Sequence, residues 1–216
     1  MPAVVLLTAC GSDSSTAPKA SVPSADTVAI DQSTSVIIDH WTNASSSGYW
    51  DETAEYFGGP YVETYSSGTY SEDYRLLIPF SLPTLAGRGV VDSAKVFEYA
   101  CYHYSNNSYN NPFTDSLVVD HVDGAAFQDS ASWGGRTLEA NIGTLVRDTT
   151  SGWKSVTVTS AVKGDYAAKR SLSQFRLEWM YSNMPANWTE TEFAGLDCTN
   201  NAGGTSGDGY LVIWSH

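Results

Sequence analysis

The stretch Ala94-Lys-Val-Phe-Glu-Tyr-Ala-Cys-Tyr-His-Tyr104 decides the fold class. An extended chain sends successive side chains to opposite faces. Val96, Glu98, Ala100, Tyr102 and Tyr104 therefore share one face of a strand, and Lys95, Phe97, Tyr99, Cys101 and His103 the other. Residues this rich in aromatic and β-branched types suit a pleated, half-buried surface. The same signal recurs on both sides. Upstream, 34–41 is β-branched, Tyr61-Val-Glu-Thr-Tyr65 alternates before Ser66-Ser67-Gly68 turns the chain, and Tyr74-Arg-Leu-Leu-Ile-Pro-Phe-Ser81 is strongly apolar. Pro79 removes a ladder donor and predicts an edge or a bulged end there. Downstream, strands are expected over 116–122, 155–159, 175–181, 193–196 and 210–214, with Asn-, Ser- and Gly-rich turn clusters between several of them. Only 160–169 reads as a helix, with Thr159 or Ser160 as the candidate N-cap. Many short strands with regular turn signals predict an all-β, antiparallel sandwich or barrel.

Composition narrows the function classes. The chain has 216 residues, 11 Lys+Arg against 24 Asp+Glu, and a net charge of −13. Phosphate neutralisation needs a concentrated basic face, so nucleic acid is not an expected partner. No apolar run reaches the ~18 residues of a membrane helix. A hydrophobic fraction of 42% is too high for a disordered chain. The length prior gives one domain with a short leader.

The leader is Met1-Pro-Ala-Val-Val-Leu-Leu-Thr-Ala9, followed by Cys10. Leu7-Thr8-Ala9-Cys10 resembles the bacterial lipobox, which is cut just before a cysteine that receives lipid. No Lys or Arg precedes Cys10, so 1–9 reads as a partial lipoprotein signal peptide without its basic n-region. Residues 10–25 form a Ser/Pro/Ala-rich tract with no hydrophobic period, expected to be a flexible tether. The folded domain is expected over 26–216. This layout implies a membrane attachment through lipid on Cys10 and a bacterial envelope location, at the outer membrane or cell surface, or an extracellular one. Outside the cytosol, Cys101 and Cys198 read as a disulfide, with two buried thiols as the alternative.

Several segments carry a family resemblance. Tyr74-Arg-Leu-Leu-Ile-Pro-Phe-Ser-Leu-Pro with Val90-Val-Asp-Ser-Ala-Lys-Val-Phe-Glu-Tyr resembles a stretch of the DNRLRE-domain proteins. So do Gly152-Trp-Lys-Ser-Val-Thr-Val-Thr-Ser-Ala-Val-Lys and the ending Phe193-Ala-Gly-Leu-Asp with Tyr210-Leu-Val-Ile-Trp; Ala131-Ser-Trp-Gly is a fainter likeness. Order and spacing match from residue 74 to the end, and 26–73 match poorly. The resemblance implies a jelly-roll β-sandwich and a non-catalytic role; some members are carbohydrate-binding modules, including ones for alginate. From the residues themselves, Arg75 is expected to pair with a buried carboxylate or carbonyls. Val156, Val158 and Val162 are expected in the core, and Trp153 reads as core rather than as a platform.

Sugars are held by aromatic faces stacked on C–H surfaces and by polar side chains that bond hydroxyls. The segments 40–74 and 102–113 are rich in both. Trp41, Trp50, Tyr56, Tyr61, Tyr65, Tyr104 and Tyr109 are the candidate ligand-binding residues. At −13, a polyanionic glycan would be repelled, which favours a neutral one. Catalytic signatures are missing: no Gly-x-Ser-x-Gly, no His-Glu-x-x-His, no phosphate loop. Asp51, Glu52, Glu55 and Glu63 are acid/base candidates by count alone. His40 and His121 could share a metal, though a structural role is the expectation for each. Asp120-His-Val-Asp-Gly124 and Gly207-Asp208-Gly209 offer oxygens to a structural Ca²⁺. The expected function is thus a non-catalytic, surface-anchored carbohydrate-binding lipoprotein. A structural or adhesive, self-associating protein and a small polysaccharide-active enzyme are the alternatives.

Overall fold

The computed structural model describes residues 24–30, 36–43, 45–52, 57–58, 61–65, 68–85, 89–100, 103–104, 116–123, 136–147, 152–180, 191–193 and 209–216. Four strands make one antiparallel sheet in the order β1 (Ser24–Ala29), β14 (Tyr210–Ser215), β7 (Val91–Ala100), β11 (Gly152–Thr157). Seven make the second. Its main path runs β10 (Arg136–Val146), β9 (Ser116–Asp123), β12 (Leu172–Met180), β6 (Gly68–Ser81), β2 (Val36–Thr42), β3 (Ser47–Glu52). β5 (Tyr61–Tyr65) pairs with the first half of β6, beyond the stretch that β12 occupies. A small third sheet joins β4 (Phe57–Gly58), β13 (Thr191–Phe193) and β8 (His103–Tyr104). One helix, α1 (Thr159–Ala167), is present among the described residues. The chain is an antiparallel β-sandwich, as the alternation predicts.

The core lies where the two larger sheets face each other. The four-stranded sheet contributes Ala94, Val96, Leu211 and Ile213, and the seven-stranded sheet Leu76, Ile78, Phe80, Leu117, Val119, Phe175 and Leu177. These are the alternate positions of their strands, and burying each large apolar side chain contributes about 1.5–3 kcal/mol. Val156, Val158 and Val162 are buried with them, as expected.

α1 starts at Thr159, but neither proposed cap acts as one: the capping position is Val158, without a side-chain cap. The Thr159 hydroxyl is used instead to accept the Ala94 N–H at 3.0 Å, which ties the helix start to β7. Ala161 and Val162 then enter the core. Pro79 does not mark an edge strand. It stands in a strand with neighbours on both sides, paired with Gln174 of β12 and two residues beyond the first described pair with β2 (Val36↔Leu77).

β10 carries no apolar alternation to read from sequence. Five of its eleven positions are exposed and only two are buried, and its register against β9 shifts three times. Asn141 takes the left-handed φ of 49° within it, and its N–H donates to Asp120 Oδ1 at 2.6 Å. Two residues on, Gly143 lies against the Val156 side chain of β11, with no room for a Cβ. The bulged strand thereby closes against an edge of the other sheet.

Candidate functional site

The outward positions of the four-stranded sheet collect rings from three strands. On β7, Val96 and Glu98 face inward, so Phe97 and Tyr99 face outward. On β14, Leu211 and Ile213 face inward, so Tyr210, Val212 and Trp214 face outward. On β11, Val156 faces inward, so Trp153, Ser155 and Thr157 face outward. The register sets Phe97 opposite Tyr210 and Tyr99 opposite Trp153. Phe97 and Tyr210 stack with centroids 4.9 Å apart, Trp153 meets the Tyr99 edge at 5.5 Å, and Trp153 lies 5.1 Å from Tyr210.

Trp153 is 47% exposed, a large apolar surface left in solvent. The expectation that it belongs to the core is corrected by its parity in β11: Val156 takes the inward set, which leaves Trp153 with the outward one. Glycines precede two of these rings. Gly152 adopts φ 136°, which L-residues rarely take, and leads directly into Trp153. Gly209 lies against the carboxylate of the fully buried Glu98, with no space for a Cβ, and leads into Tyr210. Beside the rings, β1 offers only the small, exposed Ala25, Thr27 and Ala29. Lys95 is the one ionisable basic or acidic side chain at the paired outward positions of this face, opposite Val212 and Thr157.

The seven-stranded sheet holds two polar clusters. On its core side, Asp165 of α1 is buried. Its oxygens lie 3.0 Å from His121 Nε2 and receive the Ser173 hydroxyl at 2.6 Å and Arg170 at 2.8 Å. Burial alone would raise the Asp165 pKa; hydrogen bonds from His121, Ser173 and Arg170, and the His121 charge, outweigh it and hold the carboxyl below its ordinary 3.8. The left-handed φ of 57° at Lys169 ends the helix and turns Arg170 back to reach this carboxylate. Arg170 also reaches Asp123 at 3.2 Å. The cluster contains a serine, a histidine and an aspartate, but the hydroxyl donates to the carboxylate rather than to the imidazole. Ser173 and His121 are both buried, so the arrangement fastens α1 to β9 and β12.

On the opposite side of that sheet, Asp120 is paired with Arg176, whose Nε lies 3.2 Å away and whose Nη2 is closer still. Glu178 lies 3.5 Å from Arg176 and 3.0 Å from Arg75. Arg75 therefore pairs with a carboxylate, as expected. Asp120 and Asp123 are both engaged by arginines, Asp123 through Oδ2. Among the described residues, no three His, Cys, Asp or Glu side chains converge to hold a metal.

The candidate residues from sequence are spread over the other sheets. Trp41 (β2) and Tyr61 (β5) fall in one register row through Glu72 of β6. Trp50 (β3) pairs with Asp39, Tyr65 with Gly68, and Tyr104 (β8) with Thr191. Tyr56, Tyr109, Cys10, Cys101, Cys198 and Asp208 lie outside the described residues. The outward ring face was half legible: alternation alone puts Phe97 with Tyr99, but which strands lie beside them is a matter of topology. No protein-family model matches the chain, and no curated protein is significantly similar to it.

Proposed function

We propose that this chain is a non-catalytic, lipid-anchored protein of the bacterial cell surface whose sandwich, of jelly-roll type, binds a carbohydrate. The observation that carries this reading is the exposed Trp153 set among Tyr99, Tyr210 and Phe97 on a sheet face flanked by small and hydroxylated side chains. Stacked or edge-on rings present C–H-binding surfaces, and Ser155, Thr157 and Thr27 are hydroxyls within the same face. The lipobox-like Leu7-Thr8-Ala9-Cys10 and the tract after it support an anchor and tether, and Cys101 with Cys198 supports an oxidising compartment.

Affinity gels with neutral polysaccharides, run on the Cys10→Ala chain, test the glycan reading. Retardation that is lost in Trp153→Ala is the expected result. No retardation on any glycan, with concentration-dependent assembly that Trp153→Ala abolishes, would instead make this face an adhesive contact between copies. Release of reducing ends would establish an enzyme. Incorporation of a palmitate analogue, lost in Cys10→Ala, tests the anchor, and thiol titration of the unfolded, unreduced chain tests the bridge.

A further inference from the structure

We infer, resting on the glycan reading above, that Trp214 is a second stacking point and that the site takes an internal stretch of an extended polysaccharide, not a single sugar. Tyr210 and Trp214 are four residues apart on β14, on the same outward side, because Leu211 and Ile213 between them are buried. At ~3.3 Å per residue, the two rings stand about 13 Å apart along the strand. That span is far longer than one pyranose and corresponds to roughly three linked units. Trp214 is half-buried, and its cross-strand neighbours are the small Ala25 and Ser93.

The gap between the two ring stations is polar. Val212, midway, is flanked by Thr27 on β1 and Lys95 on β7. No described carboxylate pairs with Lys95, and no acidic side chain occupies the paired outward positions of this face, in a chain of net charge −13. The nearest described carboxylate at its end, Asp92 beside Ser93, is paired with His216. The face presents ammonium and hydroxyl donors where the middle sugar of a bound chain would show its oxygens. Ring, donor, ring in a straight line fits a chain that runs along β14. A monosaccharide would reach one station only.

The test titrates the Cys10→Ala chain with neutral β-1,4-glucan, β-1,3-glucan and β-1,4-mannan oligosaccharides of one to six residues, followed by tryptophan fluorescence and calorimetry. The expected result is a ladder whose affinity rises at least tenfold from disaccharide to tetrasaccharide. Trp214→Ala should flatten it to the disaccharide level, and Trp214→Phe should keep most of the rise. If Trp214→Ala does not fold, the wild-type ladder and Trp214→Phe decide the matter. Equal affinity for disaccharide and hexasaccharide, or a ladder unchanged in a folded Trp214→Ala chain, overturns this inference and leaves glycan binding standing. No response to any oligosaccharide, together with no retardation on any polysaccharide gel, removes both.

Discussion

Phe97 and Tyr210 face each other across β7 and β14 with rings 4.9 Å apart and only 13° from parallel. They are direct register partners, so the stack is a cross-strand pair and helps hold the sheet as well as form its surface. A double-mutant cycle of Phe97→Ala and Tyr210→Ala, read by denaturant melts, should give a coupling of about 0.5–1.5 kcal/mol. Additive effects would show that the stack contributes nothing beyond burial.

Trp153 stands differently, with nearly half its surface in solvent. Trp153→Ala should change stability by no more than about 1 kcal/mol, since surface substitutions seldom cost more. It should nevertheless weaken retention on a binding polysaccharide at least tenfold. A variant that unfolds would place Trp153 among the structural rings, and unchanged retention would remove it from the site.

Asp165 sets an acid limit on the fold. Its folded pKa lies below the unfolded value of 3.8, because hydrogen bonds and the His121 charge overcome the penalty of burial. The sign follows: the ionised carboxylate stabilises fully above the unfolded value, and that contribution is lost as pH falls through the folded one. The melting temperature should therefore drop steeply on acidification below about pH 4. Asp165→Asn should be less stable at neutral pH by about 3–5 kcal/mol, the usual cost of breaking a buried charge network, and its acid slope should be shallower. Equal slopes in the two proteins would refute the assignment.

Lys169 holds a left-handed backbone and an exposed side chain. Such a residue costs roughly 1–2 kcal/mol relative to an unstrained one, and glycine is spared most of that. Lys169→Gly should raise stability by about 1 kcal/mol, less the entropy that glycine adds to the unfolded chain. A destabilised variant would mean that the lysine side chain makes a contact of its own.

Asp120 and Arg176 are buried side by side with opposite charges. Removing either alone strands the other, at about 3–5 kcal/mol, whereas replacing both with apolar residues of similar volume should cost far less. Asp120→Leu and Arg176→Met, singly and together, measure this by chemical denaturation. A double variant as unstable as the sum of the singles would contradict it. Asp120 also accepts the Asn141 N–H, so part of its cost should persist in the double variant as a loosened β10.

How much of this was legible from sequence depended on whether one face of a strand was polar. β7 alternates from Ala94 to Ala100, and the two faces read there stand; Cys101 and Tyr102 lie outside the described residues, and His103 and Tyr104 belong to β8 instead. For Arg75 a buried carboxylate or carbonyls were the expected partners; a carboxylate is present, but Glu178 is half-buried. β10 was invisible: an edge strand with three register shifts has no period to detect. The pairing of Asp120 with Arg176 was hidden for another reason. β9 is buried along almost its whole length on both sides, so its polar positions do not mark a solvent face. Trp153 was misassigned because its type favours burial, while its orientation was set by Val156 three residues on.

Pro79 has a consequence for the molecule's neighbours. A proline keeps its ladder with β12 only where its nitrogen points away from that strand, toward the flank that the described part of β2 leaves unpaired. Any foreign segment laid along that flank would meet a missing tooth in the comb of donors. Whatever lies along that side of β6, the strand itself offers no backbone hydrogen at this position.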